Sequence, residues 1–349
     1  MRKIEKKYII FVAEQAGGID VFFPVIERIQ NDGKFEFALF LGNKDIYEYA
    51  EKKGIKNLHL SVGFSVQEVE DIIEKENPDL FITDTNNTEL EDSLDKKIIK
   101  ASKDAGRPAI SIVDSWINYG ERFGKKLEFI PDSILVIDGE MKGDLEKIGI
   151  PSDIIKIVGN PRFDKFSDIK KTREEKNLIV FYSQPFSSKG MSEVDVFKDI
   201  VDVLDKRYPE KKIIIKFHPS REKDKDKYDS IIKDSKLSIE KLKGDVNADA
   251  LTQKAELIMG MHSMALFDAA LMGKKVLSYQ PGKDATSDTL RSNVYGWSVP
   301  VYKKEDILGV IESVLKGKVL SEKRQRTKYT KNKSADKVAS LIEHILENK

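Results

Sequence analysis

The chain has 349 residues, room for about two domains of ordinary size, and its 40% hydrophobic and 34% charged residues fit a globular fold and exclude a disordered one. Sixty basic residues against 59 acidic ones leave a net charge of +1, so no broad electrostatic footprint invites nucleic acid, and no nucleic-acid partner is expected. The absence of cysteine excludes disulfides, thiolate metal sites and cysteine nucleophiles, and the four histidines (His59, His218, His262, His344) are spaced unlike a zinc cluster, so no metal is expected.

The apolar run Tyr8–Ala13 is too short for a signal-peptide core, and no stretch reaches the roughly 18 apolar residues of a membrane helix. A cytoplasmic protein is expected, at most touching the inner face of a membrane. From there, short apolar runs alternate with amphipathic segments. Strands are expected at Tyr8–Ala13, Glu36–Leu41, Leu58–Leu60, Leu80–Thr83, Ala109–Val113 and Ser133–Ile137. Helices are expected between them at Val21–Gln30, Asp45–Lys53, Val66–Glu76, Glu89–Ala105 and Lys142–Ile148. Runs that are apolar throughout suit strands covered on both faces, and the alternation suits βαβ units on a parallel sheet.

The pattern restarts after Asn160-Pro161. Strands are expected at Leu178–Tyr182, Lys212–Phe217, Leu257–Met259 and Lys275–Ser278, with helices at Val194–Leu204 and Asp306–Leu315. The polar stretch 161–176 reads as a linker between two such sheets. Residues 316–333 are rich in Lys and Arg, which suits a solvated linker or contact with an anionic membrane leaflet. Ala335–Leu346 reads as a final helix with Val338, Leu341, Ile342 and Ile345 on one face.

Ligands of open parallel sheets bind beyond the carboxyl ends of the strands, so the loops there are the places to look for chemistry. Gly17 and Gly18, in Glu14–Asp20, let backbone approach a ligand, or form a plain tight turn, with Asp20 as a contact or a cap. Asp84–Asn87 offers four small polar residues for hydroxyls or for capping. Asp114–Phe123 mixes Trp116 and Tyr119 with Asn118 and Arg122, a set suited to a sugar acceptor. Asp114 or Glu121 is the candidate base there.

In the second half, Lys216-Phe217-His218-Pro219 follows the strongest strand. Proline pushes His218 into extended backbone beside a lysine, which suits a phosphate. Gly260 closes the next strand, His262 and Ser263 follow, and Ser263 is a natural N-cap whose helix offers free N–H groups to an anion. Asp268, on that helix, suits a ribose diol. Ser183 and Gln184, after the first strand of this half, are further phosphate contacts or a simple turn. No GxxxxGK[ST] occurs, which argues against a phosphate-loop ATPase.

Three stretches together resemble the GT-B superfamily, which holds both glycosyltransferases and UDP-N-acetylglucosamine 2-epimerases. Asp132 to Asp164, ending Val158-Gly-Asn-Pro-Arg-Phe-Asp, resembles the interdomain passage of capsule and teichoic-acid transferases. Lys216-Phe-His-Pro219 is similar to the His-Pro element of bacterial sialyltransferases, capsule Kdo transferases and CDP-glycerol glycerophosphotransferases. Gly260–Lys275 resembles G-x-x-S-x-x-x-x-[DE]-A-A-x-x-G-K.

The resemblance implies an α/β chain of two facing Rossmann-like domains. Residues 1–162 would form the acceptor domain and 163–333 the nucleotide-donor domain, with a helix at 334–349 crossing back. It implies a metal-independent glycosyltransferase moving a sugar from a UDP- or CMP-linked donor to a cell-surface glycan or lipid-linked acceptor. His218 would meet the donor phosphate, with Lys216, Pro219, Ser183, Gln184, Gly260, His262 and Ser263 around it and Asp268 on the ribose. Gly17, Gly18, Asp20, Trp116, Asn118, Tyr119 and Arg122 would face the acceptor. No cofactor is expected, since the nucleotide-sugar is a substrate. The alternatives are an NDP-sugar 2-epimerase, a CDP-polyol phosphotransferase and a non-catalytic GT-B module.

Overall fold

The computed structural model describes residues 6–89, 92–167, 169, 172–218, 222, 224–242, 247–317 and 323–347. The chain divides into two compact units. Unit 1 comprises Met1–Lys165 with Tyr329–Lys349, and unit 2 comprises Phe166–Lys328.

Unit 1 runs β1 (Lys7–Ala13), α1 (Ala16–Asp32), β2 (Phe35–Leu41), α2 (Lys44–Lys52), β3 (Leu58–Leu60), α3 (Val66–Glu76), β4 (Leu80–Thr83) and α4 (Leu94–Asp104). It continues with β5 (Ala109–Ile112), α5 (Tyr119–Arg122), β6 (Ser133–Val136), α6 (Gly139–Lys147) and β7 (Ile155–Ile157). Among the described residues its sheet has seven strands in the order β3-β2-β1-β4-β5-β6-β7. All neighbours are parallel. From Ile9 onward β1 is fully buried, because helices cover both faces of a strand whose residues are all apolar.

Unit 2 runs β8 (Leu178–Tyr182), the antiparallel pair β9 (Ser187–Ser188) and β10 (Met191–Ser192), α7 (Glu193–Arg207), β11 (Lys212–Lys216), α8 (Asp229–Asp234) and β12 (Ser238–Lys241). Then come α9 (Ala248–Lys254), β13 (Leu257–Gly260), α10 (Met264–Leu271), β14 (Val276–Tyr279), α11 (Arg291–Val294), β15 (Val299–Val301) and α12 (Ile307–Leu315). Its parallel sheet has six strands among the described residues, in the order β12-β11-β8-β13-β14-β15. Helix α13 (Lys323–Thr330) leads back into unit 1, where α14 (Ser334–Glu347) ends the described chain.

Each expected strand is present. The additional strands β7, β12 and β15 are the three-to-four-residue edges IKI, SIEK and VPV, whose mixed polarity hides the strand period. Three helices differ at their starts, α6 beginning at Gly139 and not at Lys142. Helix α1 begins at Ala16, inside the expected glycine loop, and α4 begins at Leu94, not Glu89.

The stretch expected as a polar linker is partly folded. Pro161–Phe166 is a 3-10 turn whose Phe163 and Phe166 are buried, and Asp164 accepts the N–H groups of Ser334 at 2.9 Å and Ala335 at 2.8 Å. Asn332 Nδ2 donates to the Val158 carbonyl at 2.9 Å. A side chain at Gly159, where φ is +91°, would collide with Asn332 and Ser334. The Gly-Asn-Pro-Arg-Phe-Asp motif therefore grips the start of α14. The helix then packs Val338, Ile342 and Leu346 into the core under α1 and sets Asp336 and Glu343 against Arg28 and Lys34.

The basic stretch before it is likewise partly engaged. Arg326 donates to the Ala270 carbonyl at 2.9 Å, and buried Tyr329 donates to Asp138 at 2.8 Å. Residues 318–322 of that stretch lie outside the described residues. No described helix is long and apolar enough to cross a membrane.

If α14 is part of the unit 1 core, Ile342→Ala should cost about 2–5 kcal/mol in urea unfolding, the usual loss for a buried aliphatic truncated in a packed core. Asp164→Ala should cost about 1 kcal/mol, the loss of a helix cap. An Ile342→Ala chain as stable as the parent would mean that the helix is a loose tail.

Candidate functional site

At the carboxyl ends of β1, β4 and β5, unit 1 gathers four acidic residues: Glu14, Asp84, Asp95 and Asp114. Asp84 follows β4 and is buried. Its Oδ2 accepts the N–H of Glu14 at 3.0 Å and of Gln15 at 3.3 Å, which satisfies amides at the start of α1. Its Oδ1 is buried and has no hydrogen-bond partner among the described residues. Burial, then the nearby Asp95 and Glu14, push its carboxyl well above the usual range, which favours the protonated form. Glu14 is pushed up to about 8, first by burial and then by Asp95. Asp95 is raised by burial.

Asp114 lies beside this group but is 30% exposed at its side chain, and it pairs with Arg122 Nη1 at 3.2 Å. Arg122 itself is buried. Its guanidinium donates to the Ile117 carbonyl, to the Thr85 carbonyl and hydroxyl, and to Ser115 Oγ. Residue types in this layout permit proton transfer: a carboxyl group raised by burial next to one paired with a guanidinium. Among the described residues no group of three or more His, Asp or Glu is disposed to hold a metal ion.

Several residues expected to face an acceptor are spent on the fold instead. Gly17 and Gly18 are in the first turn of α1, and the space their missing side chains leave is filled by carboxyl groups. A Cβ at Gly18 would lie 2.7 Å from the Cβ of Asp84, and one at Gly17 would lie 2.7 Å from Asp114 Oδ2. Asp20 is held by Tyr49 and Lys53, each at 2.8 Å. Trp116 is buried, with its indole N–H donating to Asp138 at 3.1 Å, so its face is not displayed for stacking. Asn118 is exposed in the left-handed region at φ +59° and starts α5. Tyr119 is half-buried and Glu121 is exposed on that same short helix.

Glu14 and Asp95 were not among the sequence candidates. A clue was present. Glu14 interrupts an apolar strand end three residues before the first of two glycines, and Asp95 opens a helix two residues after Ser93.

In unit 2, β11 and β13 flank β8, which brings their loops to one sheet edge. Gln184 Nε2 donates to the His262 carbonyl at 2.6 Å. Ser263 caps α10 by accepting the Ala265 N–H at 3.2 Å. Gly260 sits where a Cβ would press on the Tyr182 carbonyl at 3.0 Å. His262 Nε2 is 2.9 Å from Thr289 Oγ1, and burial lowers its tendency to charge. Asp268 is buried on α10. His218 and Lys216 are half-buried at the end of β11, and Pro219 lies outside the described residues.

Ser183 differs from expectation, because its hydroxyl is engaged by buried Glu222 and by Tyr228 at 2.6 Å. Glu222 also accepts the His218 N–H at 2.6 Å and pairs with Lys227. It joins the loops after β8 and β11.

No protein-family model and no curated protein matches this sequence. Solved structures do match over nearly the whole chain. A UDP-GlcNAc 2-epimerase from Neisseria meningitidis bound to UDP-GlcNAc aligns at 14% identity and TM-score 0.68, covering 96% of this chain and 100% of its own. S. aureus MnaA in a co-structure with UDP aligns at 13% identity and TM-score 0.71, covering 98% and 97%. The glycotransferase of kitacinnamycin aligns at 12% identity and TM-score 0.64, covering 98% and 99%. The fold is GT-B. Within that GT-B fold, the expected pair of parallel-sheet Rossmann-like units is present.

Two outcomes follow from the packing of unit 1. Gly18→Ala, which in an open helix gains roughly 0.5–1 kcal/mol, should here lower the melting temperature because the methyl meets Asp84. A gain would show that Asp84 does not fill that space. Glu14 binds its proton more tightly folded than unfolded, so its contribution to stability is complete below its ordinary value of 4.5. That contribution fades as pH rises through about 8. Urea titrations at several pH values should show this decline, and Glu14→Gln should flatten it.

Proposed function

We propose that this GT-B protein is an enzyme of nucleotide-linked sugars, and that its reaction is proton transfer at the sugar ring, of the 2-epimerase type. One observation carries the reading: Asp84, whose carboxyl burial pushes well above the usual range, stands beside Asp114, which Arg122 holds by an ion pair. Inverting C2 of a nucleotide sugar by proton transfer removes the C2 proton while the C1–O bond to the nucleoside diphosphate breaks, the electron pair forming a C1=C2 bond. A proton then returns to the other face of C2 as the diphosphate re-adds at C1. Two carboxyl groups, one buried and one ion-paired, can take the one proton and give the other. Transfer to an acceptor hydroxyl asks for one base, and a second carboxyl has no task in it.

Unit 2 takes the nucleotide in this reading. The amide groups at the start of α10 and the Lys216–His218 turn meet the diphosphate, and Asp268 meets the ribose. The structural neighbours bound to UDP and UDP-GlcNAc make those the first ligands to try.

A second reading keeps the glycosyltransferase. It is favoured by the likeness to the glycotransferase of kitacinnamycin and by the cationic turn at Lys216 and His218, which suits a departing phosphate.

Proton NMR of UDP-GlcNAc with the enzyme in heavy water separates the two. The epimerase reading expects deuterium at C2 with no acceptor present, and a loss of about 10²-fold or more in Asp114→Asn and in Asp84→Asn. UDP release only when an acceptor alcohol is added, with no exchange at C2, would favour the transferase. No binding of any nucleotide would end both.

A further inference from the structure

Glu14 and Asp95 are the two carboxyl groups of the unit 1 cluster that the proposed chemistry leaves unused, and Glu14 is the one that touches Asp84. It is tied into the site at both ends. Its backbone N–H donates to Asp84 Oδ2 at 3.0 Å. Its Oε2 accepts the N–H of Leu94 at 2.9 Å and of Asp95 at 3.3 Å, and the side-chain amide of Asn86. It thus caps α4 from 80 residues away in the chain. Gly42, where a Cβ would lie 2.6 Å from Glu14 Cγ, leaves room for it.

The carboxyl groups of Glu14 and Asp95 converge on Asn86, which donates its side-chain amide to Glu14 Oε2 and its backbone N–H to Asp95 Oδ2 at 3.2 Å. Asp95 also accepts the Ser93 hydroxyl. Two carboxyl groups this close titrate as a pair.

The charged neighbours come from four elements. Asp84 faces the pair from the end of β4. Asp114 comes from the end of β5, with Arg122 of α5 paired to it. Lys96 comes from α4, its ammonium donating to the carbonyls of Thr88 and Glu121. From the end of β2 come Gly42 and Asn43, which carry no charge.

We propose that Glu14 is a positioning residue for the Asp84–Asp114 pair, sharing one proton with Asp95 while its backbone N–H holds the Asp84 carboxyl. This rests on the proton-transfer role of that pair. With its proton in place, Glu14–Asp95 carries one negative charge. When rising pH removes that proton the charge doubles, and Asp84 is held to its own proton more firmly. The acid form of Asp84 therefore survives to higher pH than a single neighbouring carboxylate would allow.

The test is the pH profile of kcat for the C2 exchange, together with a carbon-13 titration of labelled Asp and Glu side-chain carboxyls. Glu14→Gln keeps an acceptor for the α4 amides but cannot share a proton with Asp95 in this way. Asp95→Asn removes the same proton from the other side. Both variants should move the alkaline limb of kcat down by about one pH unit. Both should abolish a carboxyl titration near pH 8. An unmoved limb in either folded variant would overturn the proposal, because a purely structural residue changes melting temperature and rate without shifting that midpoint. If no nucleotide sugar turns over, the reaction assignment fails by itself. The titration of Asp84 then decides the coupling: a lower midpoint in both variants supports it, and an unchanged midpoint refutes it.

Discussion

The structure of unit 1 depends on placing a carboxyl group where a helix begins. Asp84 occupies the space left by Gly18, accepts amides at the start of α1, and is buried in doing so. Removing a charge from water is expensive, so burial favours the protonated form of the group. The same placement that anchors β4 to α1 therefore raises the affinity of an acid at the sheet edge for its proton. Glu14 repeats the device at α4, and Asp164 uses it at α14. Three helix starts in this unit are held by carboxyl groups distant in sequence, none of which is the local N-cap residue.

Unit 2 fixes its loops differently. Glu222, buried between Ser183, the His218 backbone and Lys227, holds the turns after β8 and β11 together. A buried ion pair of this kind is costly to break from one side, since the remaining charge has no water to turn to. The network reaches Glu193 at the start of α7 through Lys227, and Glu193 accepts the Phe186 N–H at 3.1 Å. Two loops that sequence patterning marks as ligand-bearing thus share one anchor.

Much of the fold was legible because its strands are apolar throughout and its helices amphipathic. The strand ends, and so the loops that matter, were placed correctly even where helix starts were not. Helix α1 begins early because the Asp84 carboxyl supplies what local capping does not, and no propensity rule anticipates a cap from 70 residues away. The site was legible in part. The Ser263 cap is legible from its residue type. Aromatic and cationic residues in a loop, such as Trp116 and Arg122, suggest a ligand. Here they bond instead to Asp138 and to the Thr85 backbone, partners that only the folded chain brings close. Glu14 and Asp95 escaped notice because their meaning lies in their mutual contact.

The central claim is that Asp84 is a neutral acid inside the folded protein at neutral pH. Infrared difference spectroscopy of the parent against Asp84→Asn, in deuterated buffer at neutral pH, tests it without any substrate. A protonated-carboxyl carbonyl band present in the parent and missing in the variant is the expected result. A parent spectrum in which that residue contributes only carboxylate bands would contradict the account.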